Sequence, residues 1–371
     1  MHKVQPHQGM PPLDTSGRAL GVFEFWPMWA FYPPVLLYAF YLMLRYRGWT
    51  LPTVANPSFP GGGFVGESKA RILELAIRHA PQWFAPFITV QRDSGLDSDL
   101  VRELLQRSCN QMEQAGLTFP IVAKPDMGCR GAGVKLLRDA SDLHQYIQNF
   151  PGDARFLLQK YVAFEGEAGV FYCRHPSEDT GRIISLTLKY FPYVFGDGKR
   201  SLRELILADE RAGKLAHLYL PRHAQRLDQV PAPGEAVRLA FAGSHSRGAI
   251  FRDGTHWVTP DMQARFDALS KQIPEFYFGR YDIRFEEFTQ VQAGHGFTVV
   301  EVNGAGAEST HIWDRRVSLF KAWGDLMKQY KLLFQIGRAN RDRGFRPLSL
   351  REFRQWHQRE KHLTPLYPLT D

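Results

Sequence analysis

The chain has 371 residues, of which 44% are hydrophobic and 23% are charged, and its formal net charge is +8. This length and composition allow a large core with two or three subdomains, and they exclude a disordered chain. The positive charge suits anionic partners such as nucleotides or an anionic membrane surface. Its lysines and arginines are scattered and no nucleic-acid-binding signature is visible, so we expect no nucleic acid partner. The three cysteines form no CxxC pair, which favours a reducing, cytoplasmic location.

The first predicted element lies in an uncharged aromatic segment, Phe25–Leu44, which two arginines follow closely. Pro33 and Pro34 argue against one straight span and favour a helix over Pro34–Arg47. Such a helix is shorter than the roughly 20 residues needed to cross a bilayer. We expect it to pack on the protein body; peripheral contact with the inner face of a membrane and a true span are the alternatives. With the glycine-rich loop that follows, it forms an N-terminal region over residues 1–66.

Two predicted elements carry lysines that suit phosphate binding. A helix is expected over Lys69–His79, capped by Ser68, with Lys69 in its first turn. Farther along, a strand ends at Lys124, and a loop with three glycines follows: Gly128, Gly131 and Gly133. Small residues let backbone N–H groups approach phosphate oxygens, and a lysine adds a point charge. The loop is also suited to a mobile lid that includes Cys129; a plain glycine-rich hairpin is the alternative.

The next apolar strand is predicted over Phe156–Val162, and the acidic sequence EGEAGVF follows it closely. A strand end with free backbone groups suits a purine base, and a carboxylate at Glu165 or Glu167 could accept hydrogen bonds from ribose hydroxyls. A solvated turn is the alternative for each glutamate. Lys189 is read as a surface lysine, with anion binding as its alternative.

Arg247 lies in a short run of small residues, FAGSHSRGAI. It could reach a γ-phosphate or a substrate carboxylate, and a structural ion pair is the alternative.

Two alternating runs, Tyr281–Phe285 and Phe297–Val302, predict strands joined by a glycine-containing turn. Glu301 and Asn303 are two residues apart and therefore share a face, and Asp282 joins them if the strands pair. These side chains form an all-oxygen set, which suits Mg²⁺ better than zinc. The alternative is a solvated hairpin, but acids within apolar runs disfavour it.

These motifs, taken in order, resemble those of the ATP-grasp ligases. They are Lys124 with its glycine loop, the segment QKYV…EGEAGVF, and Arg280-Tyr-Asp282…Glu301-Val-Asn303. The D-alanine–D-alanine ligase and cyanophycin/glutathione synthetase branches are the most similar. The resemblance implies an α+β ATP-grasp fold in which two α+β subdomains grip ATP. It places the ATP-grasp domain at 67–330, with a lid subdomain at about 115–165. The Arg-rich sequence after it predicts a basic C-terminal tail at 331–371, which could be a basic docking surface; a solvated helix is the alternative.

The resemblance also implies roles for individual residues. The phosphates would be bound by Lys69, Lys124, Gly128, Gly131 and Gly133. The adenine would be bound by Gln159, Lys160 and Val162, and the ribose by Glu167. Mg²⁺, with Mn²⁺ as an alternative, would be bound by Asp282, Glu301 and Asn303. Arg280, with Arg247, stabilises the transferred phosphoryl group and the later oxyanion.

The implied reaction joins a small-molecule carboxylate to an amine, or to a thiol, at the expense of ATP. It passes through an acyl-phosphate and releases ADP. After Asn303, the residues Glu308–His311 are candidates for substrate selectivity. One alternative is an ATP-grasp kinase that phosphorylates a small molecule without the amine step. Another is a membrane-associated ATP-binding protein without turnover. By analogy with such ligases the chain could form a homodimer.

Overall fold

The computed structural model describes residues 5–128, 131–368 and 370. Its strands are β1 (Phe87–Arg92), β2 (Ile121–Pro125), β3 (Lys135–Leu137), β4 (Ala154–Lys160), β5 (Gly166–Cys173), β6 (Arg182–Tyr190), β7 (Tyr193–Phe195), β8 (Ala236–Arg238), β9 (Ile250–Asp253), β10 (Phe278–Phe285) and β11 (Phe297–Asn303). Its α-helices are α1 (Met28–Phe31), α2 (Pro33–Arg45), α3 (Lys69–His79), α4 (Ser98–Gln114), α5 (Ala140–Asn149), α6 (Leu202–Ala208), α7 (Ala216–Arg222), α8 (Pro260–Gln272), α9 (Phe288–Gln292), α10 (Leu319–Asp342) and α11 (Leu350–Leu363). Helices and antiparallel sheets are mixed along the chain, which confirms the predicted α+β class.

The first sheet carries the predicted glycine-rich loop at its edge, between β2 and β3. Its strand order is β1-β4-β2-β3, and all pairs are antiparallel. Val122 lies opposite Gln159 and Lys124 lies opposite Leu157. Because alternate residues of a strand share a face, Lys124 and Gln159 project from the same side of the sheet. The other side packs on α4 and α5 through a core that includes Leu104, Leu143, Ile147, Phe156 and Leu158.

The second sheet has the order β11-β10-β5-β6-β9 and is also antiparallel throughout. In β10 the odd residues Tyr281, Ile283 and Phe285 are buried in the largest core, together with residues of α3 and α8. The even residues Arg280, Asp282 and Arg284 therefore face the opposite side. This strict alternation turns one side of the sheet into a core and the other into a charged surface.

The N-terminal aromatic segment forms α1 and α2, with α2 ending two residues earlier than predicted. One side of α2 is buried through Val35, Ala39 and Leu42, and the helix packs along α10. Pro33 and Pro34 occupy the first turn of α2, where a missing N–H is tolerated. Within the described residues, no helix is both long and apolar enough to cross a membrane.

The C-terminal helices return the chain to both sheets. Residues 331–371, predicted as a basic tail, begin inside α10 and include α11. Leu363, at the end of α11, is buried in the core of the first sheet, and Tyr367 packs against the same core. The end of the chain thus lies beside the glycine-rich loop.

Candidate active site

A cavity of about 630 Å³ lies between the two sheets. The predicted site residues line it, except Gly133 and Arg247. Its walls also include the start of the N-terminal aromatic segment, residue Glu360 of α11 and the loop at 241–246.

A chain of ion pairs runs across the floor of this cavity. Arg280 binds Asp282 with two nitrogens, Nε to Oδ1 at 2.9 Å and Nη2 to Oδ2 at 3.0 Å. Lys189 Nζ lies 3.0 Å from Asp282 Oδ1 and 3.1 Å from Glu167 Oε1. Arg284 Nε lies 3.0 Å from Glu167 Oε2. Register explains the arrangement, because Arg284 pairs with Glu167, and Glu167 with Lys189, across neighbouring strands.

The ion pairs set the charge state of Asp282. Burial alone would raise the pKa of its carboxyl group, but the nearby charges of Arg280 and Lys189 hold that pKa well below its usual range. The interpretation of Lys189 as a surface lysine is wrong, since the residue is only 4% exposed. Its position on the charged side of β6 is a consequence of strand pairing that its local sequence does not reveal.

Glu301 lies beside Asp282 on β11 and meets the first predicted lysine. The two strands place Asp282 opposite Glu301 and Arg280 opposite Asn303. Lys69 Nζ lies 3.3 Å from Glu301 Oε1 and donates to the carbonyl oxygen of Gly128 at 2.7 Å. Burial opposes ionisation of Glu301, but the charges of Lys69 and Lys124 lower the pKa of its carboxyl group.

Lys69 is positioned by the start of α3. Ser68 caps the helix as predicted, accepting a hydrogen bond from the Arg71 N–H. The buried carboxylate of Asp126 accepts from the Ser68 hydroxyl at 2.8 Å and from the Ala70 N–H at 2.9 Å. This contact ties the helix start to the segment between β2 and the glycine-rich loop. Sequence reasoning missed Asp126. Nothing in the sequence next to it, including Pro125, indicates that its carboxylate binds the start of α3.

Lys124 is a half-buried cation held by neutral oxygens. Its ammonium donates to Gln159 Oε1 at 2.8 Å and to the Val300 carbonyl at 3.2 Å. Burial is the largest influence on its pKa and lowers it. An anion bound in the cavity beside this ammonium would compensate for the hydration that its charge loses on burial. Gln159 thus serves as a support for Lys124 in this arrangement.

The glycine-rich loop is held from the C-terminal end of the chain. Gly128 and Gly131 line the cavity, whereas the predicted lid residue Cys129 and its neighbour Arg130 lie outside the described residues. The Thr370 hydroxyl donates to the Gly131 carbonyl at 2.7 Å and accepts from the Gly133 N–H at 3.0 Å. One side chain therefore pins two loop glycines.

At the end of the cavity predicted to bind adenine, one of the backbone groups expected to contact the base already forms a hydrogen bond within the protein. The Lys160 N–H donates to the Pro86 carbonyl at 2.9 Å. Tyr161 and Phe241 extend this part of the cavity, with ring centroids 6.0 Å apart. Flat apolar rings beside a strand end suit a planar base.

Of the two residues predicted to contact the ribose and the phosphoryl group, Glu167 lines the cavity and Arg247 does not. Both Glu167 oxygens are engaged by the cations described above. Arg247 is half-buried in a short turn and is not part of the cavity lining; its carbonyl accepts from Arg222. The roles assigned to these two residues stay predictions.

The end of the cavity beyond Arg280 is acidic and aromatic. Arg280 Nη1 donates to the Glu308 carbonyl at 3.0 Å. The Tyr32 hydroxyl lies 2.9 and 3.0 Å from the two carboxylate oxygens of Glu308. Trp313 and Phe25 complete this wall, and both rings stack on His245. Sequence reasoning missed Tyr32 and Phe25, because nothing local shows that the N-terminal segment reaches position 308.

The oxygen donors suit a hard cation that arrives with an anionic ligand. Among residues 5–128, 131–368 and 370, no three His, Cys, Asp or Glu side chains are grouped to hold a metal ion. Asp282 and Glu301 supply two carboxylates, and the amide of Asn303 donates to Asp282 at 3.3 Å. Mg²⁺ in proteins is bound by one or two carboxylates together with substrate phosphates, so this set fits Mg²⁺ that comes with a nucleotide.

A further, half-buried carboxylate lies next to this set. Glu67 accepts from the Gly304 N–H at 3.1 Å. Burial is the main cause that raises its pKa to about 7, and the charges of Glu301 and Glu360 act in the same direction. A cation near Glu301 would favour ionised Glu67.

No family model and no curated protein matches this chain. Solved structures do match. A bifunctional glutathione synthetase from Pasteurella multocida is 16% identical with a TM-score of 0.35, and the match covers 71% of this chain and 35% of that one. D-alanine–D-alanine ligase from Bacillus anthracis, complexed with ATP, is 14% identical with a TM-score of 0.41, and the match covers 75% and 68%. The chain thus spans about a third of the first protein and about two thirds of the second.

Proposed function

We propose that the chain is an ATP- and Mg²⁺-dependent ligase that joins a small-molecule carboxylate to an amine. The observation that best supports this is the half-buried Lys124, held by neutral oxygens beside the glycine-rich loop in the cavity that the carboxylates of β10 and β11 also line. When bound, ATP would supply the phosphoryl group that converts the carboxylate into an acyl-phosphate, and Mg²⁺ would offset the charge on its phosphate oxygens.

The chain's own cations would hold the phosphate groups. Lys69 and Lys124 both line the cavity and lie close to Glu301. N–H groups of the loop would add neutral donors, as in other phosphate-binding loops. Glu301 and Asn303 would hold Mg²⁺, with Asp282 joining them as its contacts with Arg280 and Lys189 adjust.

Arg280 is suited to stabilise negative charge that develops on the carboxylate substrate. Its guanidinium lines the cavity and donates to the Glu308 carbonyl, a contact that holds it in place when the contacts of Asp282 adjust. The glycine-rich loop and the N-terminal wall would keep water from the activated substrate.

Glu308 is suited to bind the amine substrate. Its carboxylate faces the cavity beyond Arg280 and is oriented by Tyr32. A carboxylate there attracts an ammonium group and places it next to the site of carboxylate activation. This assignment gives the acidic end of the cavity a role in substrate selection.

The decisive experiment measures Mg²⁺-dependent ADP release from ATP with a pooled panel of amino acids and small carboxylates. It compares the wild type, Glu301→Ala and the control Glu286→Ala, whose exposed side chain follows β10 outside the cavity. We expect release that needs both a carboxylate and an amine, that persists in Glu286→Ala and that is lost in Glu301→Ala.

Other outcomes would point elsewhere. Release with a carboxylate alone would favour a kinase, and ATP binding without release would favour a binding protein. Equal binding of Mg²⁺–ATP by the wild type and Glu301→Ala would refute the metal assignment.

A further inference from the structure

An aromatic face covers the outer side of the N-terminal helices. We define this aromatic face by its exposed side chains: Trp26, Met28, Trp29, Leu36, Leu37, Phe40, Tyr41, Leu44 and Trp49. Trp29 is 80% exposed and Leu37 is 71% exposed. So many exposed large apolar side chains on two adjoining helices are rare on proteins that meet only water, and they mark an interaction site.

The face exists because α2 is apolar on both sides. Val35, Ala39 and Leu42 are buried, while Leu36, Leu37 and their neighbours point away from the protein. A helix at a water-facing surface places polar residues on its outer side, whereas the sequence from Phe25 to Leu44 contains no charge. In the part of the chain that the structure describes, the side chains on that outer side stay exposed.

The composition and rim of the face favour an anionic lipid surface. Tryptophan and tyrosine, which the face contains, prefer the boundary between hydrocarbon and headgroups. Arg45 and Arg47 follow the apolar run at the end of α2, and both are exposed. Basic side chains beside an inserted apolar face bind anionic headgroups, and the net charge of +8 acts in the same direction.

The face is continuous with the mouth of the cavity. Phe25, Trp26 and Met28 are exposed and also line the cavity. A bilayer in contact with the face would therefore lie at the entrance to the acidic and aromatic end, where Tyr32 and Glu308 meet.

We propose that the aromatic face docks on an anionic bilayer, with α2 lying along its surface and the cavity opening at the level of the headgroups. The docking does not depend on the reaction proposed above. It needs only the exposed apolar side chains and the two arginines.

The test is co-sedimentation of the full chain with vesicles of phosphatidylcholine alone, or of phosphatidylcholine with an equal part of phosphatidylglycerol. We expect partition into the anionic vesicles that weakens with added salt. The double variant Trp29→Glu/Leu37→Glu should reduce partition at least tenfold, since two inserted side chains are lost. Arg45→Gln and Arg47→Gln should each reduce it about fivefold.

Leu100→Glu is the matched control, because Leu100 is an exposed leucine on α4, in the other subdomain, and is 44% exposed. It should partition as the wild type does. Circular dichroism and size-exclusion chromatography of every variant should be measured to check that the fold is kept. Failure of the wild type to sediment with anionic vesicles would overturn the proposal. So would a wild-type dimer that Trp29→Glu/Leu37→Glu makes monomeric while vesicle binding is unchanged, because the face would then pair two copies of the chain.

Discussion

The buried carboxylate of Glu24 anchors the N-terminal wall of the cavity to the body of the protein. Arg211 Nη2 lies 2.6 Å from Glu24 Oε1, and the Gly21 N–H donates to Oε2 at 2.7 Å. His245 Nε2 lies 3.3 Å from Oε1. Burial by itself would raise the pKa of Glu24, but the hydrogen bonds from His245 and Arg211 lower it to about 2.

This shift predicts how Glu24 contributes to stability at different pH values. The folded state lowers the pKa from 4.5 to about 2, so ionised Glu24 stabilises the fold above the unfolded pKa. That contribution is lost as the pH falls through the folded pKa. At 1.36 kcal/mol for each pKa unit, it amounts to about 3 kcal/mol at neutral pH. Glu24→Gln should remove it, and it leaves the Arg211 charge buried without a counterion.

The assay is urea unfolding of the wild type and Glu24→Gln over a series of pH values. The difference in unfolding free energy should be about 3 kcal/mol near neutral pH and should shrink as the pH falls from 4.5 through about 2, approaching zero only below about pH 2, where both proteins carry a neutral side chain. Glu113→Gln, on the exposed side of α4, controls for the loss of one formal charge. A difference that stays constant across the pH series, or no difference at any pH, would refute the ion-pair reasoning.

Three further substitutions test the cavity. Lys124→Met should slow ADP release at least a hundredfold. Its thermal midpoint should change little, because the variant loses two hydrogen bonds but no longer carries the desolvation cost of a half-buried charge. A large loss of stability would contradict this account. Glu308→Gln should raise KM for the amine about tenfold and leave KM for the carboxylate unchanged; the reverse pattern would show that Glu308 faces the other substrate. Thr370→Val should release the glycine-rich loop and speed its cleavage by a protease about thirtyfold, the effect of two hydrogen bonds worth about 1 kcal/mol each. Thr364→Val, which removes a hydrogen bond inside the end of the C-terminal helix, should not change that cleavage.

Some of the site could be predicted because local periodicity fixes direction. The alternation in β10 and β11 predicted that Asp282, Glu301 and Asn303 would meet, and the strands pair Asp282 with Glu301. The cap at Ser68 was predictable for the same reason, since capping depends on residues within one turn. The α+β class followed from the mixture of such local signals.

The rest depends on contacts between distant parts of the chain. Lys189 is buried because strand pairing places Glu167 and Asp282 beside it, and its own sequence resembles an ordinary surface strand. Tyr32 reaches Glu308 across 276 positions, which no local pattern encodes. The C-terminal segment predicted as a basic tail includes a helix whose last residue is buried, and only tertiary packing reveals this.

The pin at Thr370 has a consequence for the order in which the protein can mature. Thr370 binds Gly131, which lies 239 positions earlier in the chain. During synthesis the first sheet and its glycine-rich loop leave the ribosome long before this threonine does. The loop therefore lacks the hydrogen bonds from Thr370 during that interval. A nascent chain from which position 370 has not yet emerged would present a loosely held loop, and the cavity would reach its final form only after that position emerges.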